Sequence, residues 1–175
     1  CAGGGGKTLA LAADMQNKGH ITAYDADSER MKNVPKRLQR AGVKNTKIEN
    51  PNGEYDLVFI DAPCTGSGTW RRNPDLKWRF TALDLEEVVA LQQSILQSAS
   101  RLVAVGGRVV YATCSILASE NENQIAKFLK NNSNFRVVCA KKIWDNTCTG
   151  NATDAKKDAN ASYFSVAPHQ DGVDG

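Results

Sequence analysis

Three polar side chains stand at the ends of strand-like runs. Asp25 follows Ile21-Thr22-Ala23-Tyr24, Asp61 follows Leu57-Val58-Phe59-Ile60, and Cys114 follows Val109-Val110-Tyr111-Ala112-Thr113. A fourth, Cys64, comes after Asp61 past Ala62 and Pro63. A thiol can act as a covalent nucleophile, and a carboxylate can move a proton or stabilise developing charge. Taken singly, each has a plainer reading as an inert buried thiol or a turn acid. Their coincidence at strand ends points to a site, because ligands of open α/β sheets bind at the carboxyl edge.

The second element that could do chemistry is the loop Cys1-Ala2-Gly3-Gly4-Gly5-Gly6-Lys7-Thr8, which runs into the helix formers Leu9-Ala10-Leu11-Ala12-Ala13. Such a loop feeds a helix N-terminus, whose free backbone N–H groups suit a polar or anionic ligand. Asp25 comes about 20 residues later, the distance at which nucleotide-binding α/β units place the acid that holds ribose hydroxyls.

Elements to position these residues can be read along the chain. Gly19 is expected to stop the first helix, and Ile21–Asp25 reads as a strand. Ser28 caps a helix towards Gly42 that Pro35 should interrupt. A short strand is expected at Thr46–Glu49 and a buried parallel-type strand at Tyr55–Asp61. Val88, Leu91, Ile95, Leu96, Ala99 and Leu102 recur at helical spacing between Leu83 and Val103. Gly106-Gly107 is expected to turn the chain into a strand at 108–113, and Ser119-Glu120-Asn121-Glu122 has the pattern of a capping box. Phe135–Cys139 reads as a further strand.

This alternation predicts one α/β domain with a doubly wound, Rossmann-like sheet. The catalytic domain is expected over 1–140, with a polar segment of the same domain over 141–175. The glycine loop opens with no strand before it, so the first strand, and after residue 175 the last, are expected to be missing. Between Ala62 and Thr81, Trp70-Arg71-Arg72 and Leu76-Lys77-Trp78-Arg79-Phe80 interleave basic and aromatic residues. That pattern suits phosphate contacts and base stacking, or else a surface loop pinned by two Trp side chains.

The 175 residues carry a net charge of +3, 41% hydrophobic and 23% charged residues, as in soluble globular chains, and this small charge does not by itself demonstrate a nucleic-acid partner. No apolar run would span a bilayer, and a soluble cytoplasmic monomer is expected. Cys1, Cys64, Cys114, Cys139 and Cys148 form no Cys-x-x-Cys pair, which argues against a disulfide framework or a metal site. Gly6-Lys7-Thr8 matches the end of a P-loop, but the position five before Gly6 is Cys1 rather than Gly, and thiols at strand ends have no role in phosphoryl transfer.

Together the opening loop, Asp61-Ala-Pro-Cys-Thr-Gly-Ser-Gly-Thr69, Arg71-Arg-Asn-Pro-Asp-Leu-Lys-Trp78, Tyr111-Ala-Thr-Cys-Ser-Ile116 and Glu120-Asn-Glu122 resemble the RNA (cytosine-5)-methyltransferases of the Sun (Fmu, NSUN) family, in the family's order. The resemblance implies a class I methyltransferase fold, S-adenosylmethionine as cofactor, and a cytosine of ribosomal or transfer RNA as acceptor. It implies that Cys1, Ala2, Gly3, Gly4, Gly5, Gly6 and Lys7 surround the methionine part of the cofactor and that Asp25 holds its ribose. Asp61 would lie between cofactor and base, Cys114 would be the nucleophile, and Cys64 would assist release. Residue chemistry alone leaves open which thiol attacks, since cytosine-5 DNA methyltransferases use a Pro-Cys thiol resembling Cys64. Asn50 stands near where the family has a cofactor-contacting acid. A non-catalytic RNA-binding remnant is the other class of reading.

Overall fold

The computed structural model describes residues 1–139, 143 and 163–165. These residues fall into two compact units, one made of 1–62 and 96–112, the other of 63–95 and the chain from 113 onwards.

The first unit begins with the glycine loop and α1 (Gly6–Asp14). β1 (Ile21–Ala23) pairs in parallel with β2 (Thr46–Ile48), and β3 (Tyr55–Asp61) pairs in parallel with β4 (Val103–Ala112). Tyr55 Oη donates to Thr22 Oγ1 at 3.2 Å, tying the start of β3 to β1. Parallel pairing needs crossover connections, and α2 (Ser28–Met31) and α3 (Val34–Arg40) supply the one between β1 and β2. Pro35 sits in the first turn of α3, where its missing N–H costs no helical hydrogen bond, so the expected interruption becomes a break between two helices. Ala23, Met31, Val34 and Leu38 form a buried cluster, with Ala2, Leu9 and Val43 packed against it.

Two of the expected boundaries differ in the structure. α1 ends at Asp14 rather than at Gly19, because Gln16 and Asn17 themselves take the left-handed turn, with φ of 52° and 59°. Gly106-Gly107 does not separate a loop from a strand: β4 begins at Val103 and passes through both glycines. The ladder absorbs them as a bulge, β3 advancing from Tyr55 to Leu57 while β4 advances from Val103 to Arg108. Gly106 takes φ 83°, and a Cβ on Gly107 would lie 2.9 Å from the Ala104 carbonyl oxygen and 3.0 Å from that of Asp56, so the bulge needs both glycines.

The second unit holds the loop after Pro63, a short 3₁₀ turn at Ser67–Thr69, α4 (Leu76–Arg79), the first part of α5 (Ala82–Ser100) and α6 (Glu122–Asn131). Thr81 and Asp84 cap α5: Thr81 N–H and Oγ1 donate to Asp84 Oδ2 at 2.8 and 2.7 Å, and Asp84 N–H returns to Thr81 Oγ1 at 3.2 Å. This is where a capping box forms. The one expected at Ser119–Glu122 does not, since Ala118–Glu120 is a 3₁₀ turn and no side chain caps α6. The apolar face expected on α5 also differs in detail: Leu96 and Ala99 are buried, but Leu91 is exposed and its neighbour Gln92 is wholly buried. Phe135–Cys139, expected as a strand, carries no ladder among the described residues. Phe135 instead turns back on α6 and packs edge-to-face on Phe128, ring centroids 5.3 Å apart. The polar segment 141–175, with Cys148, lies outside the described residues apart from 143 and 163–165. Among the described residues no helix is long and apolar enough to cross a membrane.

Candidate active site

In the first unit the glycine loop is shaped by backbone that only glycine adopts easily. Gly3 and Gly5 take φ of 50° and 78°, and Gly5 is the N-cap of α1. The nitrogens of Cys1 and Ala2 both donate to the Tyr24 carbonyl at 2.8 Å, which lays the loop beside the end of β1. Gly3 N–H then donates to Asp25 Oδ2 at 2.7 Å, and Asp27 N–H to Asp25 Oδ1 at 3.0 Å. The Asp25 side chain is 6% exposed, with the Arg30 guanidinium 4.0 Å away. Burial alone would raise its pKa, but the two backbone donors and neighbouring positive charge outweigh burial and hold it below the ordinary carboxylate value. Arg37 Nη1 donates to the Gly4 carbonyl and braces the loop from α3.

Asp61 ends β3 and is 41% exposed, and Lys7 Nζ donates to its Oδ2 at 2.7 Å. Both partners are solvated, so the pair holds an orientation more than it stabilises the fold. The first unit thus brings together Gly3 with Asp25, and Lys7 with Asp61.

In the second unit Cys64 and Cys114 are thiols whose sulfurs lie 3.3 Å apart, sharing a hydrogen bond. Cys64 is held far above the usual thiol range, first by that hydrogen bond to Cys114 and then by burial. Either sulfur can donate to the other. Gly68 N–H donates to the Cys114 carbonyl at 3.0 Å.

Beneath the thiols lies a polar cluster that was not expected. Glu120 is wholly buried and accepts from Thr65 N–H at 2.8 Å, Thr65 Oγ1 at 2.6 Å, Gln92 Nε2 at 3.1 Å and Ser115 Oγ. In the sequence Glu120 looks like an exposed acid of a helix cap. The one available signal is that Thr65 and Ser115, each directly after a cysteine, are hydroxyl residues needing partners if buried. The basic and aromatic loop leaves Trp78 83% exposed, with Lys77 Nζ 5.5 Å from the centre of its ring. No group of three or more His, Cys, Asp or Glu side chains among the described residues could hold a metal ion.

The family model for the 16S rRNA methyltransferase RsmB/F matches residues 1–175. The chain belongs to the RsmB/F methyltransferase family. Ribosomal RNA small subunit methyltransferase B of Serratia proteamaculans is 38% identical over 147 residues, covering 79% of this chain and 34% of the relative. A probable methyltransferase B of Synechocystis sp. is 37% identical over 146 residues, 78% of this chain and 33% of the relative. The chain thus spans about a third of the length of these curated relatives. Among solved structures, PH0851 matches with a TM-score of 0.85 and 36% identity, covering all of this chain and 39% of that one. NSun6 from Pyrococcus horikoshii with SFG matches with a TM-score of 0.68 and 29% identity, over 75% of this chain and 35% of that one. The fold is accordingly the Rossmann-like α/β fold of the methyltransferases, and the P-loop reading is not favoured.

Proposed function

We propose that this chain is the catalytic part of an RNA (cytosine-5)-methyltransferase that uses S-adenosylmethionine and acts on ribosomal or transfer RNA through a covalent cysteine–cytosine intermediate. The observation that carries the reading is the pair of thiol sulfurs 3.3 Å apart. Two thiols in contact suit a reaction in which one sulfur adds to a ring and the other manages a proton.

The residues of the first unit fit the cofactor. Asp25 is a buried carboxylate whose backbone bonds to Gly3 and Asp27 leave lone pairs for a diol, and the glycine loop ends in a helix N-terminus suited to a carboxylate. SFG, carried by the NSun6 neighbour, is an S-adenosylmethionine analogue, which supports the same fit. Gly3, Gly4, Gly5, Gly6 and Lys7 would flank the methionine end, with Cys1 and Ala2 supplying backbone, and Asp25 would take the ribose hydroxyls. Bound there, the cofactor supplies an electrophilic methyl group on a sulfonium.

Cytosine carbon 5 is a weak nucleophile. In the proposed reaction the Cys114 thiol gives its proton to a base as its sulfur bonds to carbon 6, the displaced π electrons are taken up by protonation at N3 to make the ring an enamine, and carbon 5 takes the methyl group. Removal of the carbon 5 proton to a base then lets the electron pair re-form the double bond and expel Cys114 as thiolate. The Asp61 carboxylate accepts from protonated N3 or the exocyclic amine and so favours the protonated ring that addition requires, and Lys7 fixes one Asp61 oxygen so that the other is presented to the base. Cys64, in contact with Cys114, serves the release step. The target base must leave its stack to be reached, and Trp78 with the arginines near it gives single-stranded RNA a stacking face.

Methyl transfer from labelled S-adenosylmethionine to ribosomal and transfer RNA, followed by bisulfite mapping, tests this. The label should fall on cytosine carbon 5. Label on adenine or on protein would overturn the reading.

A further inference from the structure

We propose that Glu120 is a positioning residue that sets the separation of the two thiols by clamping the loop that carries Cys64 to the loop that carries Cys114. For its catalytic consequence the proposal rests on the reaction above. The clamp itself rests on geometry within the second unit.

Each cysteine is gripped on both flanks. After Cys64, the N–H and hydroxyl of Thr65 both donate to Glu120; after Cys114, the hydroxyl of Ser115 does. Before Cys64, the Pro63 carbonyl accepts from Gln92 Nε2 at 2.8 Å, and the same amide nitrogen donates to Glu120. Before Cys114, the Thr113 hydroxyl donates to Asn121 Oδ1 at 2.6 Å, next in the chain to Glu120. One carboxylate is thus the common anchor of both loops, and α5 holds it from behind through Gln92, which Gln124 Nε2 fixes in turn at 3.0 Å.

The cluster requires an acceptor at this position. Ile116 N–H donates to Ser67 Oγ at 3.0 Å, and Leu117 N–H donates to Ser115 Oγ at 3.1 Å. Ser67 and Ser115 hydroxyls lie 2.9 Å apart, so the Ser67 proton has Ser115 to go to, which fills the lone pairs of Ser115 and sends its own proton outward to Glu120. The Thr65 N–H and hydroxyl, the Gln92 amide and the Ser115 hydroxyl all meet the carboxylate as donors. Gln at 120 would turn an NH₂ towards hydroxyls that already point their protons at it, so an isosteric change still breaks the clamp. Burying a polar acid costs free energy that a hydrophobic core would not incur, and what this one supplies is a fixed geometry.

A merely stabilising role predicts a lower melting temperature and unchanged thiols. A clamp predicts that the thiols themselves change. The test is peptide-resolved alkylation of Cys64 and Cys114 by iodoacetamide as a function of pH, in the wild type and in Glu120→Gln, beside melting temperature and methyl-transfer kinetics. In the wild type Cys64 should resist alkylation well beyond the ordinary thiol range. In Glu120→Gln its onset should fall towards about pH 8.5, the value for an unperturbed thiol. Turnover should drop about 10- to 100-fold with little change in KM, since a displacement of reacting groups by about 1 Å is enough for such a loss. Should Glu120→Gln fail to fold, Ser115→Ala keeps the bonds from Thr65 and Gln92 to Glu120 and should move the Cys64 profile in the same direction by less. Unchanged alkylation profiles in a folded variant would overturn the clamp, whatever the methylation assay gives. A shifted profile in a protein that methylates no cytosine would leave the clamp standing and remove the proposed function instead.

Discussion

Replacing Gly5 with alanine should destabilise the first unit, for two reasons that add. Gly5 caps α1 at φ 78° and ψ 14°, a left-handed conformation that costs a residue with a Cβ about 1–2 kcal/mol. The new methyl would also lie 3.0 and 3.2 Å from the two γ carbons of Val34, which is wholly buried in the cluster with Ala23, Met31 and Leu38. Forcing a methyl group into a packed core costs about 1–3 kcal/mol. The combined loss of about 2–5 kcal/mol corresponds to a melting temperature lower by roughly 5–15 °C for a chain of this size. Gly6→Ala is the built-in control. A Cβ there meets nothing within 4 Å, and the position is the first of α1, so alanine should be neutral or stabilising by up to about 1 kcal/mol. Thermal and urea unfolding followed by circular dichroism would compare the two. If both variants melted alike, or Gly6→Ala were the weaker, the steric argument for the glycine loop would be wrong.

Two further outcomes are expected. Asp25 has a lowered pKa in the folded state, so its carboxylate contributes stability that is fully present above about pH 3.9 and is lost as pH falls through the lower folded value. Acid unfolding of Asp25→Asn should therefore lose the part of the pH dependence below about pH 4 that the wild type shows, and calorimetry should find S-adenosylmethionine bound about 10- to 100-fold more weakly, the worth of charge-assisted hydrogen bonds to a diol. Trp78→Ala removes a side chain that is 83% exposed. Its melting temperature should hardly change, while fluorescence anisotropy with a single-stranded RNA should show a loss of about 1–3 kcal/mol if bases stack on the ring; unchanged RNA affinity would leave Trp78 a surface residue of its loop.

Much of the strand-end pattern was legible because it depends on local sequence. Apolar runs ending in Asp25, Asp61 and Cys114 require only period and composition to be read, and the strands over 21–23, 46–48, 55–61 and 103–112 deliver those residues. What could not be read were decisions made by distant partners. Gly106-Gly107 is turn-like in isolation but becomes a bulge because β3 is present to pair on both sides of it. Phe135–Cys139 has strand composition, yet Phe135 finds a better surface on Phe128. Ser119–Glu122 satisfies a local capping pattern, but Glu120 is drawn instead to Thr65 and Ser115, residues 55 and 5 positions away. The contact between Cys64 and Cys114 spans 50 residues, and no sequence spacing announces it.

Covalent trapping on RNA containing 5-fluorocytosine tests the central claim most directly, because fluorine at carbon 5 blocks the proton removal that releases the nucleophile. With S-adenosylmethionine present, the wild type should form a complex stable to denaturing electrophoresis, Cys114→Ala should form none, and Cys64→Ala should form it and also accumulate a complex on ordinary cytosine RNA. Complex formation that survives loss of Cys114 and disappears with loss of Cys64 would contradict the assignment of the two thiols, and no complex from the wild type would contradict the covalent mechanism itself.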